Sequence, residues 1–122
     1  MLKRLRLILL GALLVAPLVF AVDGKLFTWI PPTEREDATP LPENEIASYN
    51  IYCDGDPVPV FTQSHIPSGN QTWQSHRTDF ALGVHTCHAT TVDTGGLESD
   101  PSNLVNFTVT PERPLPPVFA VQ

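Results

Sequence analysis

Between Lys25 and Val109 the apolar residues recur in short alternating runs, and no stretch carries a long helical stripe. Tyr49–Cys53 is the clearest run. Tyr49, Ile51 and Cys53 share one face of an extended chain, and Asn50 and Tyr52 share the other. Lys25–Trp29 alternates in the same way, with Phe27 and Trp29 together. Pro31 and Pro32 end that run, because neither donates to a ladder. Val58–Phe61 reads as a weak strand, held to a sheet edge by Pro57 and Pro59. After a loop over His65–Gln71, Thr72–Thr78 reads as a polar strand with Trp73 as its core residue. Phe80, Leu82, Gly83 and Val84 lead into a β-branched run that includes Thr86, Thr90, Thr91 and Val92. Val105, Phe107 and Val109 alternate once more. Turn chemistry separates the runs at Asp54-Gly55-Asp56-Pro57, Asp93-Thr94-Gly95-Gly96 and Asp100-Pro101-Ser102-Asn103. Glu43–Ala47 has room for a single helical turn, and Pro40 and Pro42 forbid a longer one. About six or seven short strands with frequent turns predict an all-β sandwich of two antiparallel sheets.

The ends of the chain read differently. Lys3, Arg4 and Arg6 precede an apolar run over Leu7–Val19, and Val19-Phe20-Ala21 offers small or aliphatic residues where a signal peptidase reads. Residues 1–21 are therefore expected to be a signal peptide cleaved after Ala21. The alternative is an uncleaved anchor over Leu5–Val22, a stretch at the short limit of a membrane span and interrupted by Pro17. No cysteine follows the apolar run, which argues against a lipoprotein signal. The domain is expected over residues 22–110. Thr110 onward, TPERPLPPVFAVQ, is proline-rich and predicts an extended tail over 111–122.

Cleavage would remove three basic residues and no acidic ones, leaving four against thirteen and a formal charge of −9. A surface this acidic repels phosphate backbones and anionic membranes, so nucleic acid is not an expected partner, and neither is stable membrane insertion after cleavage. Two cysteines in an exported chain are most simply a disulfide, Cys53–Cys87, worth about 4 kcal/mol by loop closure. A metal site on Cys87 with His85 and His88 is disfavoured, because on one strand His88 faces away from the other two.

Three blocks resemble the fibronectin type III domain of secreted bacterial proteins: Phe27–Thr33, Ile46–Tyr52 and Ala89–Asn103, in that family's order and spacing. The resemblance covers roughly residues 25 to 110. It implies that Trp29 lies on strand B, Tyr49–Cys53 on strand C, His85–Asp93 on strand F and Leu104–Val109 on strand G. Strands C and F would then pair so that Cys53 faces Cys87, Ile51 faces Ala89 and Tyr49 faces Thr91, all six pointing to the core. Trp29, Tyr49 and Ile51 are the expected core. The sequence departs from the family pattern at three places. His85 stands where the family has its corner tyrosine, Asp37-Ala38 stands where it often has Asp-Gly, and almost nothing precedes strand B to serve as strand A. An open edge beside strand B is thus expected, and with it possible self-association. The run VFAV occurs at Val19–Val22 and again at Val118–Val121, and the second copy is a candidate for the absent edge strand.

No nucleophile–base arrangement is legible, so an enzyme is not expected, nor is a cofactor. The resemblance places the loops after strands B and F at one pole. That would gather Glu34, Glu36, Asp37, Glu43 and Glu45 with Asp93, Glu98 and Asp100. Asp93, Glu98, Asp100, Glu36 and Asp37 are the candidate binding residues. Calcium would accept such oxygens, but no loop has the alternating acids of a dedicated calcium site, and solvated turns are the simpler reading. The expected function is an exported binding module whose partner is a protein or a glycan. In the glycan version, Tyr52 and Trp73 would be exposed and form a stacking platform. Fold analogy does not choose between them.

Overall fold

The computed structural model describes residues 24–122. The expected signal peptide, its cleavage site and the first copy of VFAV lie outside the described residues. Among the described residues six strands form: β1 Leu26–Trp29, β2 Ile46–Cys53, β3 Phe61–Ser64, β4 Gln71–Gln74, β5 Gly83–Asp93 and β6 Val105–Val109. They make two antiparallel sheets, β1–β4 and β3–β2–β5–β6. The fold is all-β, as the alternation predicts. A single 3₁₀ turn occupies Glu43–Glu45, where one helical turn was expected.

The two proline-bounded and polar runs are shorter than expected. β3 starts only at Phe61, because Asp54 and Gly55 take positive φ and the Asp56 carboxylate accepts the Val58 N–H. That holds Val58 in the turn, and bonding to β2 begins only where the Val60 N–H donates to the Ile51 carbonyl. The edge position is correct, since among the described residues β3 pairs with β2 alone. Thr72–Thr78 is also too long: β4 spans Gln71–Gln74, and the chain then enters a 3₁₀ turn at Arg77–Asp79.

Odd-numbered residues of β2 and β5 face inward. Tyr49 pairs with Thr91, Ile51 with Ala89 and Cys53 with Cys87, and the last pair is joined by a disulfide. Beyond Ser48 the register shifts, and Ile46 pairs with Asp93. Tyr49, Ile51 and both cysteines are buried, while Ala89 and Thr91 are half-buried. Trp73 of β4 stands between Phe27 of β1 and Phe61 of β3, with ring centroids 5.1 and 4.7 Å away. It therefore ties the small sheet to the large one through offset stacking. A second apolar cluster holds Leu41, Ile46 and Tyr49, with Trp29 packed on it edge-to-face at 5.4 Å from Tyr49.

Polar groups inside are paired. Gln71 is fully buried; its side chain accepts the Ile66 N–H and donates to the carbonyls of Ile66 and Gly69, so it closes the β3–β4 loop. Ser75 accepts the Lys25 N–H through its hydroxyl oxygen. Burying such groups without partners would cost about 1–3 kcal/mol each. The Trp29 indole N–H is different: it is buried and has no acceptor among the described residues.

Candidate functional site

The loops after β1 and β5 do meet at one pole, but through an arginine. Arg35 donates from Nη1 to Asp93 Oδ2 at 2.9 Å and from Nη2 to Glu45 Oε1 at 2.8 Å. Asp93 Oδ1 also accepts the N–H groups of Gly95 and Leu97, closing its own turn. The Arg35 guanidinium first, and the Leu97 amide second, hold the Asp93 carboxyl below the usual range. Glu36 Oε2 accepts the Asp100 N–H at 2.7 Å. Asp37 accepts both the hydroxyl and the amide of Thr39. A shallow groove of about 540 Å³ runs between the loops, with Arg35, Asp37 and Asp93 in its wall. Among the described residues, no three His, Cys, Asp or Glu side chains are grouped to hold a metal ion.

The five candidate acids are therefore divided. Glu36 and Asp93 tie the loops together, Asp37 closes its own turn on Thr39, and Asp100 presents its amide rather than its carboxylate to the neighbouring loop. Arg35 was missed by sequence reasoning. Its one signal is a positive charge between Glu34 and Glu36 in an otherwise acidic stretch. Arg35→Met is expected to lower the melting temperature modestly, more at low salt than at high salt, because the pair is partly exposed and screened. Thermal melts at two ionic strengths measure this. Equal losses at both would show that packing, not charge, is what Arg35 supplies.

Ala38 sits in the same loop with φ of 71°, a left-handed conformation that costs an L-residue about 1–2 kcal/mol. The turn survives because Ala38 donates its N–H to the Arg35 carbonyl and Arg35 donates to Thr39. The departure from Asp-Gly thus leaves a turn in place and strains it. Ala38→Gly is expected to raise stability by up to about 1 kcal/mol, read from chemical denaturation. A loss would mean the alanine methyl has a partner that outweighs the strain.

Glu98 turns away from the pole onto the outer face of the large sheet. Its Oε2 accepts from Thr90, Tyr52 and Asn50. The Thr90 hydroxyl and then the Tyr52 hydroxyl hold its carboxyl below the usual range. Tyr52 stacks on His88, with centroids 5.1 Å apart. Trp73 is buried on the inner side of the other sheet. Tyr52 and Trp73 therefore form no common platform: alternation puts Tyr52 outward on β2, while Trp73 is needed between Phe27 and Phe61.

Two histidines are structural. His65 bridges the Tyr49 hydroxyl at Nδ1 and Glu43 Oε2 at Nε2, both at 2.9 Å, while Glu43 also takes the Ser68 N–H. Burial, then nearby Glu43, pushes the Tyr49 hydroxyl up to about 12. At the opposite pole His85 lies 2.6 Å from Asp54 Oδ2 through Nδ1 and 2.7 Å from the Ala81 carbonyl through Nε2. Ala81 is upstream in the chain, so His85 makes the kind of backbone bond that a corner tyrosine hydroxyl makes. Asp54 Oδ1 accepts the Thr86 N–H and so clamps the β2–β3 turn to β5.

Both ring nitrogens of His85 face acceptors, and only the imidazolium donates to both. Asp54 first, then the Ala81 carbonyl, raises the His85 pKa above 6.5, and His85 lowers that of Asp54 below 3.8. The histidine's contribution is complete below 6.5 and is lost as pH rises through its raised folded value. The aspartate's is complete above 3.8 and is lost as pH falls through its lowered value. The melting-temperature advantage of the parent over His85→Gln is thus expected to be greatest between about pH 4 and 6.5, and to shrink toward pH 9. A difference that does not vary with pH would remove the charged clamp.

The remaining feature is an open seam between the two sheets. It measures about 770 Å³ and is walled by Phe27, Trp29 and Ile30 on one side and by Ala89, Val105 and Phe107 on the other. Ser75 donates its N–H to the Lys25 carbonyl. In the antiparallel alternation Phe27 and Trp29 then bond β4, while Leu26 and Thr28 turn their backbone groups to the seam side. No strand among the described residues covers that edge. Leu26 and Ile30 are more than half exposed there. No protein-family model and no curated protein matches this chain.

Proposed function

We propose that the chain is an exported, non-catalytic binding module of the fibronectin type III kind, which takes an extended apolar segment of a protein partner onto the free edge of β1. The observation that carries this reading is the seam: backbone donors and acceptors that no strand among the described residues covers lie directly beside an apolar trough. A strand added there bonds through its main chain and places alternate side chains between the sheets. The acidic pole is less suited to capture, because its carboxylates are spent on Arg35, Thr39 and loop amides. A disulfide in the core accords with an exported chain, as does the pattern of residues 1–21. The glycan reading has lost Trp73 to the core, and with it the second ring of its platform.

The test selects displayed random peptides on the mature chain and compares their binding on Thr28→Pro, which removes an outward N–H without touching the bonds to β4. Peptides held by the β1 edge lose binding on that variant and shift the amide signals of Leu26 and Thr28. Peptides that bind both proteins equally, or shift only residues 35–37 and 93–100, overturn the reading.

A further inference from the structure

We infer that the segment entering the seam is Val118–Val121 of a second copy of this chain. The inference rests on the reading of the β1 edge as a strand-binding site and names its occupant.

Donor and acceptor are both present, and neither is covered by another segment among the described residues. Leu115, Val118, Phe119 and Val121 are each 90% exposed or more, an unusual state for four large apolar side chains close together in sequence. The segment Val118–Val121 has the same number of residues as β1, is committed to no helix or strand, and lacks proline, so each of its amides can donate. Its alternation puts Phe119 and Val121 on one face and Val118 and Ala120 on the other. The larger pair suits the trough beside Phe27, Val105 and Phe107, and the smaller pair suits the outer side.

The chain's own tail is poorly placed to fill its own seam. β6 ends at Val109, opposite Gly83, at the pole where His85 and Asp54 lie. To lie beside its own β1, the tail would have to reverse direction within Thr110–Pro117. Pro111, Pro114, Pro116 and Pro117 oppose that, because each holds φ near the extended value. Thr110–Pro117 in that conformation spans about 25 Å, projecting Val118 away from its own body and toward another. Reciprocal exchange closes both seams in a pair. One-way exchange leaves a donor and an acceptor at the two ends and grows an open chain.

Sedimentation of the mature chain is expected to show concentration-dependent association, lost on deletion of residues 114–122 with the melting temperature of the monomer unchanged. Thr28→Pro keeps its donor and lacks an acceptor; the tail deletion is the converse. Each alone is expected to be monomeric, and their mixture to form a one-to-one complex. Phe119→Asp abolishes association, whereas Val118→Asp leaves most of it. If Thr28→Pro melts early, Thr28→Lys blocks the edge in its place.

The inference is overturned if the full chain stays monomeric, if association survives the tail deletion, or if Val118–Val121 protects β1 within a monomer. It is likewise overturned if the β1 edge is protected only in the uncleaved precursor, which would assign the seam to residues 19–22. Selected peptides that use the β1 edge while a synthetic 114–122 peptide does not would sink this inference alone. If no peptide uses the edge, both readings fall.

Discussion

Chains in which Cys53 and Cys87 are both alanine are expected to unfold with about 4 kcal/mol less free energy than the parent. The bond closes a loop with a sequence separation of 34, and freeing that loop enlarges the unfolded ensemble. For a domain near this size, a loss of that order is a drop in melting temperature on the order of 20 °C. It is also a large part of a typical total stability of about 5–15 kcal/mol. Both side chains are buried at the end of the β2–β5 ladder, so alanine leaves unfilled space as well as a longer free chain. Guanidinium titrations of the parent, the double variant and the parent under reductant measure this. The reduced parent should fall close to the variant. A parent that keeps its midpoint under reductant, with its thiols shown free by titration, would mean the ladder holds this pole unaided.

Trp73→Ala is the second large effect, about 3–5 kcal/mol. Trp73 is the residue of β4 that touches both sheets, stacked on Phe27 and Phe61 and tilted against Phe80 at 6.2 Å. Among the described residues β1 and β4 form a sheet of two strands, and a two-stranded sheet is marginal without a face to pack on. Its removal should therefore loosen the small sheet first, seen as faster amide exchange at Phe27 and Trp29 than at Ile51. Trp73→Phe retains a ring in the slot and should recover much of the loss. Tyr52→Ala, an aromatic truncation on the outer face, should cost far less. A Trp73→Ala variant no weaker than Tyr52→Ala would contradict the placement of Trp73 as the bridge between sheets. Because Trp73 and the disulfide belong to one cluster, combining the two changes should not give the sum of their separate effects.

The legible part of the structure was the part written in local pattern. The period-two alternation of Tyr49, Ile51 and Cys53 marked β2 and its inward face, and the same logic found β1, β5 and β6. Turn chemistry marked Asp54-Gly55 and Asp93–Gly96. Two cysteines in a chain with an export-like start pointed to a disulfide, and aligning the three family-like blocks placed it in register. Where local pattern was weak, the boundaries moved: β3 begins at Phe61 rather than Val58, because two prolines and an aspartate cap hold Val58 and Pro59 in the turn.

What tertiary structure alone decided lies between segments distant in the chain. Arg35 meets Asp93 across 58 residues and His85 meets Asp54 across 31. Nothing in either neighbourhood announces its partner, since an ion pair needs only opposite charges and proximity, and proximity is a property of the packed sheets. The same is true of Gln71, polar by composition yet fully buried, and of Glu98, an acid in an acidic loop whose carboxylate is drawn to three donors on the outer face. The open seam belongs to this class as well. Only the packing of two sheets around Trp73 sets an apolar trough beside a β1 edge that no described strand covers, because a groove exists between surfaces and not along a sequence.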